Sequence, residues 1–185
     1  ATAKYYITYK TYLQACKKVG IEESEARTLS RYLHDLGIIL HFQDDLLLRD
    51  TVILKPEWGT DAVYKVLDAK MVQENNGILY NKDLRKIWKN RKMYPRDKYA
   101  TILQLMTNFE LAFPLGEGER YIVVEFLPPK EVEFEWNTED PIQFEYHYEF
   151  MPAGLMTRLI VRMHEFLIER EGEKLCWREG AYFET

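Results

Sequence analysis

An α+β fold is predicted for this chain of 185 residues, on three observations. Apolar residues recur at helical spacing over residues 8–19, 24–36 and 56–67. Short apolar runs bounded by glycine, proline or polar turns stand between them. The order helix, strand, polar turn, strand then returns between residues 75 and 124.

The first helix, 8–19, places Tyr9, Tyr12, Leu13, Cys16 and Val19 on one face and stops at Gly20. The second starts on Ser24 as N-cap, carries Leu29, Tyr32, Leu33 and Leu36 on one side, and closes at Gly37. Residues 38–42 read as a strand, short, apolar and flanked by breakers. Residues 43–50, with three Asp, read as a polar wing, and 51–54 as the return strand. Pro56 opens the next helix where no amide donor is needed, and Trp58, Ala62, Val63, Val66 and Leu67 give it an apolar face.

A second copy of this plan follows. Asn75-Asn76-Gly77 is a turn, 78–80 a strand, 83–88 a short helix and 96–108 a longer one with Tyr99, Ile102, Leu103, Leu105 and Met106 on its apolar side. Residues 109–113, the turn 116–119 and the run 121–124 complete it. Leu127-Pro128-Pro129 then interrupts regular pairing and divides the chain into residues 1–127 and 128–185. Residues 130–141 read as an acidic linker or edge strand, and 144–150 alternate aromatic and polar like a half-buried strand. Pro152 and Gly154 turn the chain into a helix over 155–168, with Leu155, Leu159, Ile160, Met163, Phe166 and Leu167 inward and Arg158, Arg162 and Glu165 outward. Residues 176–178 and 181–183 are strand material. The expected plan is tandem winged-helix-like units followed by a partial strand–helix–strand subdomain.

Composition bounds the function. The chain is 46% hydrophobic and 14% aromatic, enough to build a core. Its two cysteines, Cys16 and Cys176, make neither a disulfide framework nor a zinc pattern, which fits a reducing, cytoplasmic setting. No apolar run reaches the roughly 20 residues that span a bilayer, so no membrane partner is expected. The chain opens without methionine and ends in strand-like sequence, and is expected to be a piece of something larger.

Motifs for chemistry are missing. GxxxxGK[ST], GxGxxG, HExxH, CxxC and GxSxG do not occur. His34 and His41 are read as polar positions of a hairpin rather than zinc ligands, and Asp44, Asp45 and Asp50 as a solvated wing rather than a cation loop. No catalytic, metal or cofactor residue is assigned, so the chain is expected not to be an enzyme. Eight lysines and arginines between Lys82 and Lys98 make the best case for nucleic acid. Against it stand the net charge of −5 and the mixed charge of the helix before the first hairpin, where Arg27 and Arg31 share the surface with Glu25 and Asp35. A winged-helix nucleic-acid binder is therefore the alternative reading, and nucleic acid the disfavoured partner.

Four phrases carry a resemblance to a known family. These are LHDLGIILHFQDD at 33–45 with VILKPEW at 52–58, FPLGEGERYIVV at 113–124, FMPAGLMTRLIVRMH at 150–164 and WREG at 177–180. In this order and spacing they resemble the COR domain of Roco proteins, a prokaryotic one cut within its C-terminal half. The resemblance implies a non-catalytic module that packs on and regulates a Ras-like Roc GTPase in cis and supports a homodimer in the parent. GTP, GDP and Mg would belong to Roc, since this chain has no phosphate loop. Tyr121 takes the family's aromatic position after the hairpin turn, on the Roc-facing side, with Phe113 and Leu115 flanking it. Arg158 and Arg162 are the candidates for contact between the two halves of COR, and Trp58 for an internal anchor.

Overall fold

The computed structural model describes residues 4–133, 144–150 and 152–184. In chain order the first elements are β1 (Tyr6–Thr8), α1 (Tyr9–Lys18), α2 (Glu23–Asp35), β2 (Thr51–Ile53), α3 (Pro56–Leu67), α4 (Lys70–Gln73), β3 (Ile78–Tyr80), α5 (Leu84–Ile87) and α6 (Tyr99–Asn108). After them come β4 (Ala112–Leu115), β5 (Arg120–Val123), α7 (Leu155–Arg162) and the two-residue strands β6 (Glu169–Arg170), β7 (Glu173–Lys174), β8 (Cys176–Trp177) and β9 (Gly180–Ala181). Helices and small antiparallel sheets make an α+β fold. The chain divides into two units, residues 1–69 with 82–106, and residues 70–81 with 107–185.

The first unit is built on α1 and α2. Thr8 caps α1 by accepting the Thr11 N–H at 3.2 Å. Helix α2 begins two residues earlier than an N-cap at Ser24 implies: Glu22 is the N-cap, and the Glu25 carboxylate accepts the Glu22 N–H in a capping box. The core between them holds Tyr12, Cys16, Ala26, Ile39 and Val52. Strand β2 pairs antiparallel with β1, in register Tyr6–Ile53, Ile7–Val52 and Thr8–Thr51. Helix α3 buries Trp58, Ala62, Val63 and Val66 as its periodicity predicts. The indole N–H of Trp58 donates to the Met93 carbonyl at 2.8 Å and that of Trp88 to the Ala62 carbonyl at 3.0 Å, so the apolar rings are anchored at their polar ends.

The second unit centres on a three-stranded sheet of order β3-β5-β4. Gly77 introduces it at φ +83°, where an added Cβ would stand 2.5 Å from the Val123 carbonyl oxygen. Phe113, Leu115, Ile122, Val124, Leu127, Ile160, Val161, Leu167 and Cys176 form its core.

Several expectations are corrected. Residues 38–42 make no strand; Leu40 alone bridges Ile53, exchanging both backbone bonds at 2.9 Å. The strand expected there is supplied instead by Tyr6–Thr8. Helix α2 buries the small residues Ala26, whose carbonyl accepts the Tyr12 hydroxyl of α1, and Ser30, which meets His41 and Gln43, and leaves Tyr32 and Leu36 exposed. Val19 is exposed past the end of α1. Residues 144–150 form no strand, and their aromatic side chains are exposed, since no strand among the described residues pairs with them. Helix α7 stops at Arg162 and buries Ile160 and Val161, while Leu155, Leu159 and Met163 lie outside the core, as does Phe166 beyond the helix. Most of the linker expected at 130–141 lies outside the described residues.

Candidate functional site

Tyr121 occupies the central strand of the β3-β5-β4 sheet, paired with Leu79 on one side and Pro114 on the other. Directly opposite residues share a face of a sheet and neighbours along a strand alternate, so Tyr121, Leu79 and Pro114 are on one face. Phe113, Leu115 and Ile122 are on the other. That second face is the one covered by Ile160, Val161 and Leu167, and Phe113 and Leu115 are buried in it. The structure therefore does not gather Tyr121, Phe113 and Leu115 on one surface. The strand period of two separates them, and the two apolar residues serve the unit's own core. Tyr121 is half-buried, and burial raises its phenol above the ordinary value of 10.

Arg158 and Arg162 are brought together. One turn apart on α7, they share the carboxylate of Glu110, with Arg158 Nε 3.6 Å from Oε2 and Arg162 Nε 2.5 Å from Oε1. Glu110 follows α6 in a left-handed conformation, φ 60°. Sequence reasoning missed it. The available signal was a glutamate standing just beyond a helix end, where a glycine or asparagine would be ordinary.

A buried polar network lies in the first unit. His41 Nε2 is 2.8 Å from the Arg49 carbonyl oxygen and Nδ1 is 3.0 Å from Ser30 Oγ. Gln43 donates to Ser30 Oγ at 2.7 Å and to the Arg27 carbonyl at 2.9 Å. A neutral ring with its proton on Nε2 fits: it donates to the Arg49 carbonyl, while Nδ1 shares the single Ser30 hydroxyl proton with the Arg27 carbonyl, 3.1 Å from Oγ. Burial lowers the imidazole pKa below the ordinary 6.5, against the opposing effect of the Arg49 carbonyl. A cavity of about 610 Å³ opens beside this network. Asp45 ties the following loop, accepting the Leu47 and Leu48 N–H groups at 2.8 and 3.0 Å. Among the described residues no group of three or more His, Cys, Asp or Glu could hold a metal ion, and no helix is long and apolar enough to cross a membrane.

Comparison with known proteins adds the family. Residues 1–127 match the model "C-terminal of Roc, COR-A domain", and residues 139–185 match "C-terminal of Roc, COR-B domain". The chain is 30% identical over 192 residues to the probable serine/threonine-protein kinase qkgA of Dictyostelium discoideum, covering 95% of this chain and 12% of the relative. It is 27% identical over 179 residues to the Roc-COR-CHAT protease of Runella zeae, covering 95% of this chain and 18% of the relative. The chain thus spans under a fifth of the length of these relatives. The solved structure of Methanosarcina barkeri Roco2 RocCORdC bound to GDP resembles it at 33% identity and a TM-score of 0.60, over 68% of this chain and 40% of that one. The chain belongs to the COR family of Roco proteins, with a COR-A domain at residues 1–127 and COR-B sequence at 139–185.

Proposed function

We propose that this chain is a non-catalytic coupling module that packs on a Ras-like Roc GTPase of the same polypeptide, regulates it, and contributes to a homodimer of the parent in the cytoplasm. GTP, GDP and Mg would be held by Roc. Tyr121 carries the reading: an aromatic half-buried at the centre of a sheet is pre-ordered yet keeps a polar edge for a partner. Phe113 and Leu115 contribute by fixing the sheet from the face opposite Tyr121, and Arg158 and Arg162 by joining COR-B sequence to Glu110 of COR-A.

Both halves of COR-A support a winged-helix-like description. In the first, the order is β1, β2, then the bridge at Leu40; in the second it is β3, β5, β4, each time with the first strand paired to the last. The nucleic-acid alternative gains nothing from the relatives named above, none of which is described as binding nucleic acid.

A surface of this kind transmits nucleotide state only if its contact energy with Roc differs between the GTP and GDP forms. The test is Tyr121→Ala titrated against separately expressed Roc domain. A loss of at least about 1 kcal/mol supports the anchor role; unchanged affinity in a folded variant rejects it.

A further inference from the structure

Among the described residues, strand β1 is bonded on one side only. Leu54 N–H donates to the Tyr5 carbonyl at 2.8 Å and Tyr9 N–H to the Asp50 carbonyl at 3.0 Å. Alternation of the antiparallel ladder then makes Ile7–Val52 a hydrogen-bonded pair, and Tyr6–Ile53 and Thr8–Thr51 non-bonded pairs. Ile53 agrees with this phase, because its own N–H and carbonyl both go to Leu40 on the far side. The N–H and carbonyl of Tyr6 and the N–H of Thr8 consequently point away from β2. No strand among the described residues pairs with that edge.

The edge forms one wall of a groove of about 550 Å³. Lys4, Lys92 and Lys98 line it beside a single acid, Asp97. The Lys98 ammonium stands 4.9 Å from the Tyr6 ring centroid. Lys92 and Lys98 belong to the basic run at 82–98, which the Roc reading leaves unused.

We propose that this groove takes an extended acidic peptide, which adds to β1 as a strand while its carboxylates reach Lys4, Lys92 and Lys98. An edge that offers both a donor and an acceptor at Tyr6 is completed by a backbone, which supplies both at ladder spacing; a free anion supplies acceptors alone. Acidic side chains at alternate positions fall on one side of an added strand, as a groove with lysines along it requires. The surface is independent of Tyr121, and the two readings stand or fall separately.

Fluorescence anisotropy with the full 185-residue chain tests it, using a labelled octapeptide of four Glu-Val repeats. The comparisons are a Lys-Val octapeptide, a Glu-Pro octapeptide of equal charge that cannot join a ladder, and a random DNA duplex. The Glu-Val peptide binds, and the other three bind at least about tenfold more weakly. The variant Lys4→Glu/Lys92→Glu weakens Glu-Val binding about tenfold, whereas Lys65→Glu, a charge reversal on α3 outside the groove, leaves it unchanged. Lys92→Gln, read in parallel with a melting curve for each variant, gives a smaller loss in the same direction. Absence of Glu-Val binding would overturn the proposal and leave the lysines as guards of an exposed edge. Equal binding of Glu-Pro or of the duplex would also overturn it, by reducing the groove to a general polyanion surface. So would an equal loss from Lys65→Glu.

Discussion

Arg162 Nε lies 2.5 Å from Glu110 Oε1, and with Arg158 on the same carboxylate it ties helix α7 of the COR-B sequence to the residue that ends the α6 turn in COR-A. The pairing uses a glutamate in the left-handed region, so a backbone cost is set against an electrostatic gain.

That opposition makes the first prediction. The arginine side chains are 69% and 71% exposed, so a double-mutant cycle between Glu110→Ala and Arg162→Ala yields a coupling of only about 0.5–1 kcal/mol, shrinking with added salt. Glu110→Gly also loses the ion pairs but relieves the φ of 60°. Urea unfolding should find it more stable than Glu110→Ala by about 1 kcal/mol.

Tyr94 is fully buried beside Trp58 and Trp88, and its hydroxyl has no hydrogen-bond partner among the described residues. Removing an unsatisfied buried hydroxyl while keeping the ring costs nothing in contacts. Tyr94→Phe should therefore keep or raise stability, by up to about 1 kcal/mol, whereas Tyr94→Ala should lower it by about 3–5 kcal/mol. Thermal melting separates the two.

The His41 network predicts an acid-side loss. The folded pKa lies below the unfolded value of 6.5, so the unfolded chain binds the proton more readily. The stabilisation is complete above about pH 6.5 and is lost as pH falls from there through the folded pKa. Unfolding free energies measured across this window should fall with pH in the native sequence and flatten in His41→Gln. Ser30→Ala, which strands His41 Nδ1 and a Gln43 donor, should cost about 1–3 kcal/mol at neutral pH.

Gly180 accounts for the spacing in WREG. β8 and β9 form a hairpin in which a Cβ at 180 would overlap the Trp177 indole. Gly180→Ala must displace the ring or the strand, and should destabilise the protein by about 1–3 kcal/mol in a melting experiment.

Local signals carried much of this fold. The face of α3 follows from its period, the start of α3 from Pro56, and the β3 turn from Gly77. What escaped the sequence was tertiary. β1 is three residues without alternation, recognisable only through its partner 45 residues on, as the central Ile7–Val52 pair shows. The exposed side of α7 and the aromatic run 144–150 have strong apolar patterns, yet a pattern cannot say whether a covering element is present. A motif alone points to Tyr121; that Phe113 and Leu115 lie on the opposite face depends on register, which letters do not contain.

Coupling to Roc is measured by calorimetry. This chain would be titrated with its separately expressed upstream Roc domain loaded with GDP or with a non-hydrolysable GTP analogue, beside a random DNA duplex. Binding to Roc is expected with an affinity that differs between the two nucleotide states, and none to the duplex. Equal affinity in both states, or no binding to Roc at all, would contradict it.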